Sequence, residues 1–533
     1  MRNSQFVIRK PRATLSALAL ALCALSAAAQ ERPAYTNPAI AGDYPDPSVI
    51  RVGRDYWATT TSSDWAPLFP LLHSRDLVNW RIAGAVFQRR PEWSVGNYWA
   101  SEIAEDRRRF FIFYTARRRE GPLCVAVATA PRPSGPYTDR GPLVCQEAGS
   151  IDAFPIRDER GRLYLVWKED GNSRNLPTPL WAQRLSEDGT RLLGERRELI
   201  RNDAAWEAQL VEGPYILRRG GWFYMFYSGN ACCGRECNYA LGVARARRLL
   251  GPWEKNPANP ILKGNETWKC PGHGTIVRDP RGRHFLLYHA YHPKDSVYVG
   301  RQALLDEVLW GADGWPTING GRGPSKTAPS PHGVTERDEE YTFFDEFTAS
   351  QLIPGWQWPQ SNEPTKRIER AQAGRLHLSP TSAHAGDVIG AIAARSTTTG
   401  DYVATTMIDT REMKTGARAG LSAYGNVENA LGLAVGDGRL FLWRRERNQH
   451  QVVTTADAPV APYLYVRMTA RDGHRFRFAT SPDGRVWTDL GEELDGAYLP
   501  PWDLGIRVAL TSGGVEGAVG KFEWLRIEPS RPS

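Results

Sequence analysis

Tyr56-Trp57-Ala58-Thr59, Phe111-Ile112-Phe113-Tyr114, Tyr164-Leu165-Val166-Trp167, Tyr224-Met225-Phe226-Tyr227 and Phe285-Leu286-Leu287-Tyr288 are five short apolar, aromatic runs, each preceded by a turn rich in glycine or charge. Counted from the first aromatic of each, they recur every 53 to 61 residues. Aromatic and β-branched runs of this length favour strands. A repeat of this period with no helical periodicity predicts an all-β fold in which four-stranded blades surround an axis, here a five-bladed β-propeller. Gly135-Pro136-Tyr137 and Gly251-Pro252-Trp253, each after a Val-Ala run, echo the same division as blade-edge turns.

The innermost strand of a blade lines the central channel, so the residues just ahead of each aromatic run matter most. Nine to twelve positions back stand Asp46, Glu102, Asp152, Glu212 and His273. One acidic residue near a strand end is usually a turn former. Five ionisable residues at matched positions converge instead on one axis, where crowded carboxylates acquire shifted pKa values and acid–base chemistry becomes available.

The chain begins with Arg2, Arg9, Lys10 and Arg12, an apolar stretch over 15–25, and Ala27-Ala28-Ala29. This is the pattern of a signal peptide cleaved after Ala29, so residues 1–29 are expected to be removed and the protein to be secreted or periplasmic. No later apolar run reaches the roughly 18 residues of a membrane span. Of the formal net charge of +8, four charges lie in that leader, and the remaining arginines are interspersed with acidic residues. Nucleic acid and membrane are therefore not expected partners. Six of the seven cysteines lie beyond the leader, an even number suited to disulfides in an oxidising compartment, with the pairing open. The cluster Cys232-Cys233-Gly234-Arg235-Glu236-Cys237 lacks the paired Cys-x-x-Cys knuckles of a zinc site.

Six segments together carry a resemblance: Tyr44-Pro45-Asp46-Pro47-Ser48-Val49-Ile50, His73-Ser74-Arg75-Asp76-Leu77-Val78-Asn79-Trp80, Trp99-Ala100-Ser101-Glu102-Ile103, Ser150-Ile151-Asp152, Glu212-Gly213-Pro214-Tyr215 and Gly272-His273-Gly274. In this order, through about residue 316, the chain resembles glycoside hydrolase family 43. It departs at Ser101 and at Ala153-Phe154, where the family commonly has proline. The resemblance implies that Asp46 is a general base, Glu212 a general acid, and Asp152 the residue that orients the acid and tunes its pKa. An inverting glycosidase needs such a pair, typically about 6.5–9.5 Å apart, with one carboxylate ionised to activate water and one carboxyl protonated. Asp152 is expected to keep Glu212 protonated to higher pH, because two negative charges disfavour each other.

By the same resemblance Arg301 contacts substrate and the middle aspartate, and its planar fork suits that role. His273 lies on the axis, where relatives often hold a hydrated calcium or other ion. No cofactor is required, and such an ion would be bound largely through water. Glu102 is counted with the substrate-binding residues. Trp65 and Trp99 are candidate pocket walls for sugar C–H faces, with core packing as the competing reading. Arg278-Asp279-Pro280 reads as a turn between strands.

Glycine, proline, serine and charge crowd residues 321–340, predicting a linker between a propeller over 30–320 and a second domain over 341–533. Strand-like runs such as Leu440-Phe441-Leu442-Trp443 and Phe476-Arg477-Phe478-Ala479, separated by turns such as Ser481-Pro482-Asp483-Gly484, predict a β-sandwich. Phe344-Asp345-Glu346-Phe347 with Gly355-Trp356-Gln357-Trp358 resembles the concanavalin-like C-terminal domain of family 43 xylosidases and arabinofuranosidases. By that resemblance the domain is expected to pack on the propeller and help close the pocket, with a separate carbohydrate-binding module as the alternative. The expected activity is exo-hydrolysis of terminal α-L-arabinofuranose or β-D-xylose from plant cell-wall oligo- and polysaccharides. Endo-arabinanase, exo-galactanase and a non-catalytic sugar-binding propeller are the alternatives. Oligomeric state is left open.

Overall fold

The computed structural model describes residue 1 and residues 33–294, 296–333, 342–370 and 374–530. The expected signal peptide falls, but for Met1, outside the described residues. Strands make up nearly all the regular structure, and no helix among the described residues is long and apolar enough to cross a membrane.

Five four-stranded antiparallel sheets follow one another along the chain. Their innermost strands are Ser48–Val52, Ser94–Asp106, Ser150–Arg157, Val211–Arg219 and Lys269–Arg278. Each packs on the next and the last on the first, so the sheets form a closed propeller. The aromatic runs occupy the second strand of every sheet, and Tyr56, Phe111, Tyr164, Tyr224 and Phe285 are all buried. Burial of these rings between sheets supplies the main drive for closing the ring.

Every seam carries the same polar stitch. The backbone N–H of Ala100 donates to Thr61 Oγ1 (2.7 Å), Asp152 to Thr115 Oγ1 (3.3 Å), Val211 to Thr178 Oγ1 (2.8 Å), His273 to Ser228 Oγ (2.9 Å) and Val49 to Thr275 Oγ1 (2.9 Å). Buried N–H groups facing the axis are thus satisfied by a hydroxyl from the neighbouring sheet.

Ala34–Thr36 pairs with Thr327–Pro329, tying the two ends of the propeller together. Residues 324–329, expected within the linker, are therefore held to the propeller. Ser325 accepts from Asn37 and Pro324 O from Asn265, because backbone groups there are buried and need partners. Residues 334–340 of the expected linker lie outside the described residues.

The C-terminal region folds as the expected sandwich, a nine-stranded sheet facing a six-stranded one over a core that includes Leu421, Leu433, Val466, Phe476 and Phe522. It docks on the propeller through a buried polar knot. Asp43 Oδ2 accepts from Gly505 N (2.9 Å) and Arg507 Nη2 (3.0 Å), while Asp43 Oδ1 accepts from Arg301 N (3.2 Å). Gly300, at φ 101°, is obligatory there, since a Cβ would stand 2.1 Å from Asp43 Oδ1. Strand Trp65–Ala66 of the propeller pairs with Trp358–Pro359 of the sandwich side.

Candidate active site

Just ahead of or within each innermost strand the backbone kinks into the left-handed region, at Asp46 (φ 52°), Ala100 (42°), Asp152 (57°), Gly213 (59°) and His273 (43°). In the last four sheets the ladder slips register at the same place. Such bulges re-aim side chains and store strain at functional sites. Gly213 shows why the fourth kink is glycine: a Cβ there would meet His273 Cγ at 3.0 Å. The consequence is that Asp46, Asp152, Glu212 and His273 all face one cavity of about 570 Å³ at the end of the axis.

Asp46 is almost wholly buried and heavily partnered. Thr61 Oγ1 donates to its Oδ2 (2.6 Å) and Arg301 Nη1 to its Oδ1 (2.9 Å). His273 Nδ1 and His289 Nδ1 stand 3.4 and 3.2 Å from the same Oδ1. Burial pushes this carboxyl upward, but Arg301, His273 and His289 outweigh it and hold the group well below the usual carboxylate range. His289 is neutral near pH 7, driven down to about 4 by burial and the Arg301 charge.

Glu212 lies opposite in kind. Lys168 Nζ donates to Oε2 (2.7 Å) and Tyr239 Oη to Oε1 (2.7 Å). Lys168 is buried and also donates to Asp170 Oδ1 (2.9 Å). Asp152 accepts from Gly213 N at 3.0 Å and lies 4.0 Å from His273 Nδ1. Burial raises Asp152 to about 7, with the Glu212 charge adding to the rise. Glu212 is moved the other way: burial raises it, and Lys168 and Tyr239 overcome that and lower it. The expectation that Asp152 keeps Glu212 protonated is thus corrected. The two carboxyls titrate together: Lys168 favours the charged form of Glu212, while burial favours the neutral form of Asp152.

Three further expectations change. Arg301 pairs with Asp46 rather than with the middle aspartate, because it immediately precedes strand Gln302–Trp310, which belongs to the sheet that closes the ring against the first. Trp65 is no pocket wall. It is buried at the domain junction, edge-on to Tyr424 at 5.7 Å with the Arg507 guanidinium 5.3 Å away, where apolar partners from the sandwich cover it. Glu102 lies two residues past the kink at Ala100 and is absent from the main cavity; it lines a small axial chamber beneath it, which Asp46, Asp152 and His273 also border. Burial pushes its carboxyl to about 8. No group of three His, Cys, Asp or Glu among the described residues is placed to hold a metal directly. The chamber fits an axial ion only through intervening water.

Trp99 does line the cavity, and its partner comes from the second domain. Trp502 meets it edge to face at 5.6 Å, and Trp99 Nε1 donates to Ser63 Oγ at 3.2 Å. The adjacent Asp503 accepts from Ser63 Oγ through Oδ2 (2.6 Å), and its backbone carbonyl accepts from Arg301 Nη2 (3.1 Å). Burial raises its carboxyl to about 6. Lys168, Tyr239, His289, Trp502 and Asp503 are the residues sequence reasoning missed. Lys168 and His289 had a signal: each directly follows an aromatic run, at the position filled elsewhere by Thr60, Thr115 and Ser228. The six cysteines form three disulfides, Cys124–Cys145, Cys232–Cys233 and Cys237–Cys270.

Residues 35–316 match the family described as glycosyl hydrolases family 43, and residues 344–514 match the beta xylosidase C-terminal concanavalin A-like domain. The chain is 27% identical over 502 residues to xylosidase/arabinosidase 43B of Humicola insolens, which covers 88% of this chain and 90% of that protein. It is 25% identical over 346 residues to the extracellular exo-alpha-(1->5)-L-arabinofuranosidase ArbA of Cellvibrio japonicus (strain Ueda107), covering 57% and 92%. The crystal structure of the GH43 protein BlXynB from Bacillus licheniformis matches with a TM-score of 0.80 at 25% identity, over 93% of this chain and 100% of that one.

Proposed function

The chain belongs to glycosyl hydrolases family 43, and from that premise we propose an inverting exo-hydrolase that removes terminal β-D-xylose or α-L-arabinofuranose from plant cell-wall oligo- and polysaccharides. The observation that carries the exo reading is the wall built by Trp502 and Asp503: a segment of the sandwich seals one side of the cavity where an endo-enzyme needs an open cleft. With the leader expected over 1–29, the enzyme works outside the cytoplasm.

Asp46, held ionised by Arg301, takes a proton from a water molecule as the water oxygen attacks the anomeric carbon. Glu212 gives a proton to the glycosidic oxygen as its bond to that carbon breaks. The incoming and departing oxygens lie on opposite faces, so the released sugar carries inverted configuration. Lys168 makes Glu212 a stronger donor by stabilising the carboxylate it becomes; once product leaves, Asp46 returns its proton to solvent and Glu212 takes one up from solvent. Trp99 and Trp502 offer aromatic surface to the sugar ring. No step depends on an axial cation.

A panel of linear and branched xylo- and arabino-oligosaccharides and β-1,3-galactan, followed from the earliest time points, tests this reading. Single pentoses released from non-reducing ends are expected. Oligosaccharides from mid-chain cleavage, or galactose as the main product, would overturn it.

A further inference from the structure

The disulfide between neighbours Cys232 and Cys233 has no evident role in the fold. A cross-link stabilises chiefly by closing a long loop in the unfolded chain. Cys237–Cys270, 33 residues apart, does that, and a bridge between adjacent residues closes almost nothing. Its effect is local: it converts two flexible thiol side chains into one small ring with no strong hydrogen-bond donor and a polarisable sulfur face.

That ring lines the main cavity, and its position in the chain says which part of a substrate it meets. It sits on the segment joining strands Trp222–Gly229 and Ala240–Ala246. Ser228, at the base of that segment, is the cross-strand partner of Glu212, and Tyr239, at its other end, donates to Glu212 Oε1. The segment is fixed by Asn238 N to Ala231 O (3.0 Å), Gly234 N to Tyr291 Oη (3.3 Å), Arg235 Nη2 to Ala497 O (2.9 Å) and the Cys237–Cys270 bridge. A proton donor must reach the glycosidic oxygen, which joins the terminal sugar to the leaving group, so the segment whose two ends partner Glu212 points to the leaving-group side of the cavity. From the third sheet Asn172 and Ser173 line the same cavity with polar groups.

Resting on the reading of Glu212 as proton donor, we propose that the Cys232–Cys233 ring is the apolar platform of the leaving-group subsite, against which the C–H face of the penultimate sugar packs. It determines preference for carbohydrate over small leaving groups. The terminal sugar's own binding does not use it.

The test compares kcat/KM for xylobiose and for β-D-xylosyl fluoride, or their arabinose counterparts, in the wild type, Cys232→Ala/Cys233→Ala and Cys232→Ser/Cys233→Ser. The expected result is a loss on the disaccharide at least tenfold greater than on the fluoride, expressed mainly in KM, in both double variants. Activity on the fluoride also reports that the variants fold. Equal losses on both substrates, or no loss on the disaccharide, would overturn the proposal. A wild type that releases no pentose from either substrate instead defeats the functional reading, and is seen before any cysteine variant is made. Calorimetry in a Glu212→Gln background gives a second readout: xylobiose affinity should fall at least fivefold on removing the ring while xylose affinity stays within twofold, and identical changes would contradict the assignment.

Discussion

Asp46 and Glu212 are both buried carboxyls with a cation at hydrogen-bond distance, yet the two arcs of the ring do opposite things with that arrangement. Around Asp46 the carboxylate accepts from Thr61 and from the Arg301 guanidinium, so the charge is pinned. Around Glu212 the lysine is joined by a second carboxyl, Asp152, whose proton affinity is raised by burial and by the Glu212 charge. A single ion pair therefore does not decide whether a carboxyl is base or acid; the next charge out does.

Removing each carboxyl should give the largest effects and separate the arcs. Asp46→Ala is expected to lower kcat by about 10⁴ on all substrates, and Glu212→Gln by about 10² to 10⁴ on oligosaccharides. Only the Glu212 loss should be largely recovered with a dinitrophenyl pentoside, whose leaving group needs no proton. Steady-state kinetics on both substrates checks this, and recovery by the Asp46 variant would reverse the assignment.

The cations sharpen the contrast through pH. The base must be ionised and the acid pair must hold a proton, so kcat/KM should rise below the usual carboxylate range and fall near pH 7, where Asp152 titrates at about 7. Arg301→Gln removes a positive charge beside Asp46, raises its pKa and moves the acid limb to higher pH, narrowing the active range. Lys168→Met raises the proton affinity of the Glu212–Asp152 pair and moves the alkaline limb to higher pH, widening it. Each shift should be about 1 to 3 units. Profiles in which both substitutions move the same limb would break the comparison.

A smaller effect is expected at the bulge. Gly213→Ala places a Cβ at a positive φ against His273 and should cost about 1–2 kcal/mol of stability, measured by denaturant unfolding.

Much of this arrangement was legible in the chain. The aromatic runs marked the second strands, and the residues before them marked Asp46, Asp152, Glu212 and His273, since a buried repeat fixes spacing as well as hydrophobicity. Glu102 misled because counting residues does not reveal where a bulge falls: Ala100, not Glu102, takes the kink. Lys168 and His289 were written at a repeated position after each run, masked there by the uncharged Thr60, Thr115 and Ser228. Asp503 and Trp502 could not be found locally, because their place at the site depends on how the sandwich docks about Asp43 and Arg507. Trp65 reads as a sugar platform or as core equally well until the docking partner Tyr424 is seen.

The central claim, an ionised Asp46 that activates water across the sugar from a proton-donating Glu212, meets its most direct test in proton NMR of the first sugar released. The account predicts α-xylose from a β-xyloside, or β-arabinofuranose from an α-arabinofuranoside, before mutarotation. A first product with the anomeric configuration of the substrate would contradict it.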